Sequence, residues 1–168
     1  ARPVILVNAS GEWPAHSSGW AQLLATRFAS EPVALSIHPS AVAPSVDART
    51  MTRPAQLMMS MREAIGMLNA SLAYGREGGH MRVAQWSLFR APELLRLVRL
   101  PVLLERLRKV SLWLDNGSLH THLHFDTTDN LLHQLQGTKH ALLLPPAAKP
   151  SLCFSALREK RHTYSLQH

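Results

Sequence analysis

Between Leu119 and Pro146 the chain reads LHTHLHFDTTDNLLHQLQGTKHALLLPP, and no other stretch constrains its possible folds as strongly. Side chains alternate in character through its first part, Gly137-Thr138 interrupts it, and an apolar run ends in Pro145-Pro146. Period-two patterning predicts strands. Leu119–Phe125, Asn130–Gln136 and Lys139–Leu144 are therefore expected as strands, the last two around a turn at Gly137-Thr138. In a regular strand His124 and Asp126 share one face, while Phe125 turns to the other. A neighbouring imidazole and carboxylate supply two of the three protein ligands of a facial triad, which leaves positions open on a non-haem Fe(II). The same pair also arises on any strand with a polar face, so its surroundings carry the argument.

The chain ahead of this stretch is richer in helix signals. Pro3–Val7 (PVILV) is a continuous apolar run, expected as a buried strand. Trp20–Phe28 has helical spacing, and Trp13 and Trp20 are expected in the core. Val33–Ile37 predicts a second strand, followed by a Pro/Ser/Ala-rich loop over Pro39–Ser45. From Pro54 to Ala73, Leu57, Met61, Ile65, Leu68 and Leu72 recur at three- and four-residue steps, which predicts one helix with its methionines as core filler. Tyr74–His80 is a glycine-containing loop without the flanking pattern of a phosphate-binding motif. Pro92–Lys109 is expected as helix in two pieces broken before Pro101. Val110–Leu114 is expected as a strand and Asp115-Asn116-Gly117 as a hairpin-type turn.

With 168 residues and 46% hydrophobic content, the chain can bury one sizeable core, so a single domain over 1–168 is expected. The net charge of +7 favours an acidic partner, and basic residues gather at Arg82, Arg90, Arg96, Arg99, Arg106, Arg108 and Lys109. They alternate with leucines at helical spacing, which assigns them to the solvated side of amphipathic helices. No aromatic-basic motif accompanies them, so nucleic acid is the weaker partner expectation. The single cysteine, Cys153, excludes an internal disulfide and a cysteine-cluster zinc site and favours a reducing compartment, cytoplasm or nucleus. No apolar stretch reaches the length of a membrane span.

Counted from His124, Thr121 lies three residues before, Asn130 six after and Lys139 fifteen after, followed by HALLLPP. That constellation resembles the JmjC or cupin-type Fe(II)/2-oxoglutarate oxygenases, a group of protein hydroxylases and their relatives. RPVILVNASGEWPA near the start, and AQWSLF with APELLRLVRLP before the His-x-Asp stretch, extend the resemblance over residues 1–146, with 147–168 a divergent tail. The resemblance implies that His124 and Asp126 bind iron, that Thr121 and Lys139 hold the far carboxylate of 2-oxoglutarate, and that Asn130 lines the same pocket. A fixed lysine suits a dianion that chelates the metal at its other end. The resemblance also places Gln85 on the substrate side; a surface glutamine is the competing reading. A regular strand would turn Thr121 away from His124, so this assignment requires a bulge or an irregular strand.

The family's distal iron-binding histidine has no counterpart in sequence context after Pro146, and neither His162 nor His168 sits in a matching segment. His133 and His140 are expected on the polar face of strands. THLHFD also superficially matches the metal turn of metallo-β-lactamase-like hydrolases, but Thr127 stands where that group has a histidine. The expectation is an α+β fold: N-terminal helices packed on an incomplete antiparallel double-stranded β-helix, or jelly roll. Its implied activity is Fe(II)- and 2-oxoglutarate-dependent hydroxylation of a protein side chain. The alternative is a catalytically inactive, truncated relative that acts as a binding module. A half-sandwich would expose an apolar face, so self-association into a homo-oligomer is a further expectation.

Overall fold

The computed structural model describes residues 3–7, 9–16, 19–38, 54–73, 79–98, 109–117, 119–121, 124, 126 and 128–151. Four strands form one antiparallel sheet: β1 (Pro32–His38), β2 (Ala55–Ser60), β3 (His80–Ser87) and β4 (Ser111–Asp115), in the spatial order β2-β1-β3-β4. Helices α1 (Trp20–Thr26) and α2 (Met61–Ala73) are joined by a short α3 (Pro92–Leu95) and by 3-10 turns at Pro14–His16, Leu88–Arg90 and Pro146–Ser151.

Strand alternation gives the sheet two unlike faces. Val33 and Leu35 of β1, Val83 and Trp86 of β3 and Leu112 of β4 are buried in one core with Trp20 and Leu24 of α1 and Met61, Ala64, Ile65 and Leu68 of α2. Trp13, Leu88, Ala91 and Leu94 complete it. The other face is polar, because directly paired residues share a face. Gln56 stands opposite Ser36, Ser36 opposite Arg82, His38 opposite His80, and Arg82 opposite Asp115.

A bulge keeps the core face continuous along β3. Val83 pairs with Leu114 and Trp86 with Leu112, so two residues of β3, Ala84 and Gln85, oppose the single Trp113. The extra residue reverses the strand's parity, and Val83 and Trp86 both reach the core although three positions apart. Gln85 accommodates the turn with φ of 55°, a left-handed conformation that is unfavourable for a residue with a Cβ.

The predicted helix from Pro54 to Ala73 is two elements. Ala55–Ser60 is β2, paired residue by residue with β1, and only Met61–Ala73 is helical. Ser60 ends the strand as a capping box: Glu63 N–H donates to Ser60 Oγ at 3.3 Å, and the Glu63 carboxylate accepts from Ser60 N–H at 2.8 Å and from its hydroxyl at 2.7 Å. Those bonds to the ionised form hold the Glu63 carboxyl below its ordinary value. The helical stripe is correct for Met61, Ile65 and Leu68, whereas Leu57 belongs to β2 and Leu72 is exposed.

Other expectations are corrected. Pro3–Val7 is neither buried nor a strand, with Ile5 89% exposed; a continuous apolar run signals that burial would be favourable but supplies no pairing edge. Arg82 is a buried strand residue of β3, not a solvated helix cation. Helix over Pro92–Lys109 is observed only as α3, residues 99–108 lying outside the described set. No described residue between Leu119 and Pro145 belongs to an extended strand, apart from a single bridge at His120. A strand needs neighbours for its N–H and C=O groups along its length, and among the described residues this stretch has only the single bridge at His120. The Pro39–Ser45 loop, most of the Tyr74–His80 loop, Phe125, Cys153, His162 and His168 lie outside the described residues.

Candidate functional site

Asn116 fixes where the Leu119–Pro146 stretch begins. Its Nδ2 donates to Ser71 Oγ at 2.6 Å and to the Gly79 carbonyl at 2.8 Å, while its Oδ1 accepts from Met81 N–H at 3.0 Å. One amide thus ties the end of β4 to α2 and to the start of β3. The turn follows the predicted Asp-Asn-Gly: Gly117 has φ of 81°, and its N–H donates to Asp115 Oδ1 at 3.3 Å.

Past this turn the chain crosses the polar face. Thr121 Oγ1 accepts from Arg82 Nη1 at 3.2 Å, and Arg82 Nη2 donates to Asp115 Oδ2 at 3.1 Å. The Arg82 guanidinium also lies 5.6 Å from the centre of the Trp113 ring. Arg82 is only 8% exposed, and its Nε has no hydrogen-bond partner among the described residues. His38, on the same face, is equally buried and its Nδ1 is likewise unpartnered among them. Burial, and then the nearby Arg82 and His80, hold the His38 imidazole below its ordinary value, so it is neutral at pH 7.

Farther along, Asn130 Nδ2 donates to Asp126 Oδ2. Contacts thus unite Asp126 with Asn130, and Thr121 with Arg82. His124 and Asp126 are exposed at positions without regular strand geometry, so the parity objection to Thr121 does not arise. Lys139 is exposed, two residues after Gly137, whose φ of 78° makes the predicted bend, and it forms no hydrogen bond or ion pair with another described residue. Among the described residues no three His, Cys, Asp or Glu side chains are grouped to hold a metal ion. Gln85 is exposed at the bulge, with its Oε1 accepting from Lys109 Nζ at 2.8 Å.

His133 is an anchor, not a polar-face strand residue. Its ring lies 4.3 Å from that of Trp13 and 5.3 Å from that of His16, and Leu135 packs on the core nearby. Desolvation, and then His16, hold the His133 imidazole below its ordinary value.

A model of the cupin-like domain family matches residues 1–166. The chain belongs to the cupin-like domain family. The helices on one face of an antiparallel sheet are accordingly the α+β, jelly-roll-type architecture of the cupin and JmjC superfamily. In this cupin-like domain Thr121, three residues before His124, is bonded to Arg82 on the polar sheet face. Sequence reasoning missed Arg82, His38 and Asn116. The signal for the first two was present as polar residues two apart, Ser36-Ile37-His38 and His80-Met81-Arg82, in strands whose other face is apolar. No described helix is long and apolar enough to cross a membrane.

Proposed function

We propose that this cupin-like domain serves Fe(II)- and 2-oxoglutarate-dependent oxidation, with a protein side chain as substrate. The observation that supports this most is the attachment of Thr121 to Arg82: it sets the start of the His124–Asp126 segment against the polar sheet face, so metal-ligand and carboxylate-binding side chains leave one short stretch of chain. His124 and Asp126 supply an imidazole and a carboxylate, a donor set suited to Fe(II). When bound, the metal with 2-oxoglutarate and oxygen supplies the oxidising chemistry, in which the co-substrate becomes succinate and carbon dioxide.

The chain's own groups do the positioning. Asn130 donates to Asp126 Oδ2 and so restrains the carboxylate orientation, leaving the other oxygen available. Thr121 presents a hydroxyl toward the co-substrate's far carboxylate, and Lys139 supplies a cation from the Gly137 bend. The neutral His38 on the polar face contributes a hydrogen-bonding group without adding charge.

The test is anaerobic titration of the chain with Fe(II) and 2-oxoglutarate, followed by admission of oxygen and assay of succinate. A visible metal-chelate band that is lost in both His124→Ala and Asp126→Ala, with succinate formed in the parent, is the expected result. A folded sample that forms neither band nor succinate at saturating Fe(II) overturns the oxygenase reading and leaves a binding module.

A further inference from the structure

Of the four asparagines, at positions 8, 69, 116 and 130, only Asn116 is followed by glycine. Glycine has no side chain to hinder its own amide nitrogen, so Asn-Gly is the pair in which that nitrogen most readily attacks the preceding side-chain amide. In this reaction the Gly117 nitrogen bonds to Asn116 Cγ, the Cγ–Nδ2 bond breaks, and ammonia leaves with the proton that the Gly117 amide gives up. Water then opens the cyclic imide at either carbonyl, to aspartate or to isoaspartate, with no change of oxidation state. Position 116 is therefore a reactive site as well as an anchor.

The fold restrains each reacting atom. Both Nδ2 hydrogens are donated, to Ser71 Oγ at 2.6 Å and to the Gly79 carbonyl at 2.8 Å, and Oδ1 accepts from Met81 N–H at 3.0 Å. The side chain cannot swing toward Gly117 without breaking all three bonds. The nucleophile is engaged too: Gly117 N–H donates to Asp115 Oδ1 at 3.3 Å, and a neighbouring carboxylate opposes loss of that proton. Asn116 N–H, donating to the Met81 carbonyl at 3.4 Å, holds the backbone beside β3.

The same surroundings do not suit the product. A carboxylate at position 116 has no N–H to donate, so it would face the oxygens of Gly79 and Ser71. Ser71 is buried and gives its own proton to the Leu68 carbonyl at 2.9 Å, so it can turn toward a carboxylate only by abandoning that carbonyl. Asp115, the preceding residue, adds a like charge. Isoaspartate also lengthens the backbone by a methylene at the end of β4.

We propose that Asn116 is a latent deamidation site, protected while its three bonds hold and converted when they open, and that conversion is one-way: it removes the tie between the root of the Leu119–Pro146 stretch and α2 and β3. This inference is independent of the oxygenase reading.

The experiment is incubation of the full chain at mildly alkaline pH, natively and in urea that unfolds it. Peptide mapping by mass spectrometry follows asparagine, aspartate and isoaspartate at all four positions. In urea Asn116 is expected to convert well ahead of Asn8, Asn69 and Asn130, and in the native chain about tenfold more slowly than in urea, or slower still. Ser71→Ala, which removes one Nδ2 acceptor, should speed the native reaction and leave the rate in urea unchanged. The native-to-urea ratio is read in the parent chain, so the test stands even if Ser71→Ala melts early. Equal native and urea rates, or an unchanged native rate in a folded Ser71→Ala chain, overturn the protection. Conversion of Asn116 in urea no faster than that of the other three overturns the site. Asn116→Asp carries the product side chain and should melt below the parent and lose hydrogen-exchange protection at the Met81 amide; if both are unchanged, the one-way release is overturned.

Discussion

The chain from Trp13 to Gly117 and the chain from Leu119 to Ser151 differ in how their apolar residues are used. In the first, leucines, valines and tryptophans from three helices and three strands meet in one core, with Leu24, Leu35 and Leu94 fully buried. In the second, Leu131, Leu132, Leu142, Leu143 and Leu144 are exposed, and among the described residues only His120 makes a β-bridge. The second region nevertheless bears every residue proposed here to touch the metal, and it is held by a few anchors: Asn116 at its root, Arg82 on Thr121, and Trp13 on His133. Stability therefore resides in the first region, while the side chains proposed to hold the metal come from the second.

That division can be broken by mutation. Leu35→Ala or Leu94→Ala should destabilise the domain by about 3 kcal/mol, the usual cost of an emptied core leucine site. Urea denaturation measures it, and a loss under 1 kcal/mol would mean that the core is not where the fold's stability lies. Asn116→Ala removes three side-chain hydrogen bonds that tie the end of β4, where the second region starts, to α2 and β3, and should cost about 2 kcal/mol. Faster hydrogen exchange at the Met81 amide, whose partner is the Asn116 side chain, is its local signature.

Ser60→Ala dismantles the capping box of α2 and should cost about 1 kcal/mol by the same denaturation assay. The Glu63 contribution has a defined sign. Its carboxyl is depressed in the folded state, so this stabilisation is present above the unfolded carboxyl value and is lost as pH falls through the lower, folded one. In Ser60→Ala that part of the acid dependence should shrink.

A smaller effect tests the anchor on the second region. His133 has a depressed folded value, so below the ordinary imidazole value of about 6.5 the released state takes up the proton more readily, and docking on Trp13 weakens as pH falls. His133→Phe keeps an aromatic ring against Trp13 and should remove this dependence, leaving that of His38, which has the same sign. Melting curves between pH 5 and pH 8 in parent and variant make the comparison. The smallest effect belongs to Leu142→Ser: at 80% exposure it should change stability by less than about 0.5 kcal/mol. A loss as large as that of Leu35→Ala would show that the second region is buried in solution.

Much of the body was legible from local pattern. Val33–Ile37 and Val110–Leu114 lie within a residue of the observed β1 and β4, Trp20–Phe28 contains α1, and Trp13 and Trp20 are core residues. The missed boundary at Ser60 had a local signal, Ser60-Met61-Arg62-Glu63, overridden by a leucine and methionine stripe that continues by coincidence into β2. Pro3–Val7 and Lys139–Leu144 failed for another reason. Apolar or alternating residues state what a segment would gain from burial, but a strand forms only where a partner edge exists.

The candidate site divides the same way. The spacing of Thr121, His124, Asp126, Asn130 and Lys139 is a property of the sequence, as is the chemistry those side chains can offer. The Asp-Asn-Gly turn that launches the segment is also local, because its conformation depends on residues that adopt left-handed backbone easily or bond to their own neighbours. That Arg82 meets Thr121, 39 residues away, follows from the register of β3 against β1 and β4 and from the face that this register assigns to each side chain. Register is a collective outcome of which apolar face is buried, and a one-residue slip would have sent Arg82 into the core.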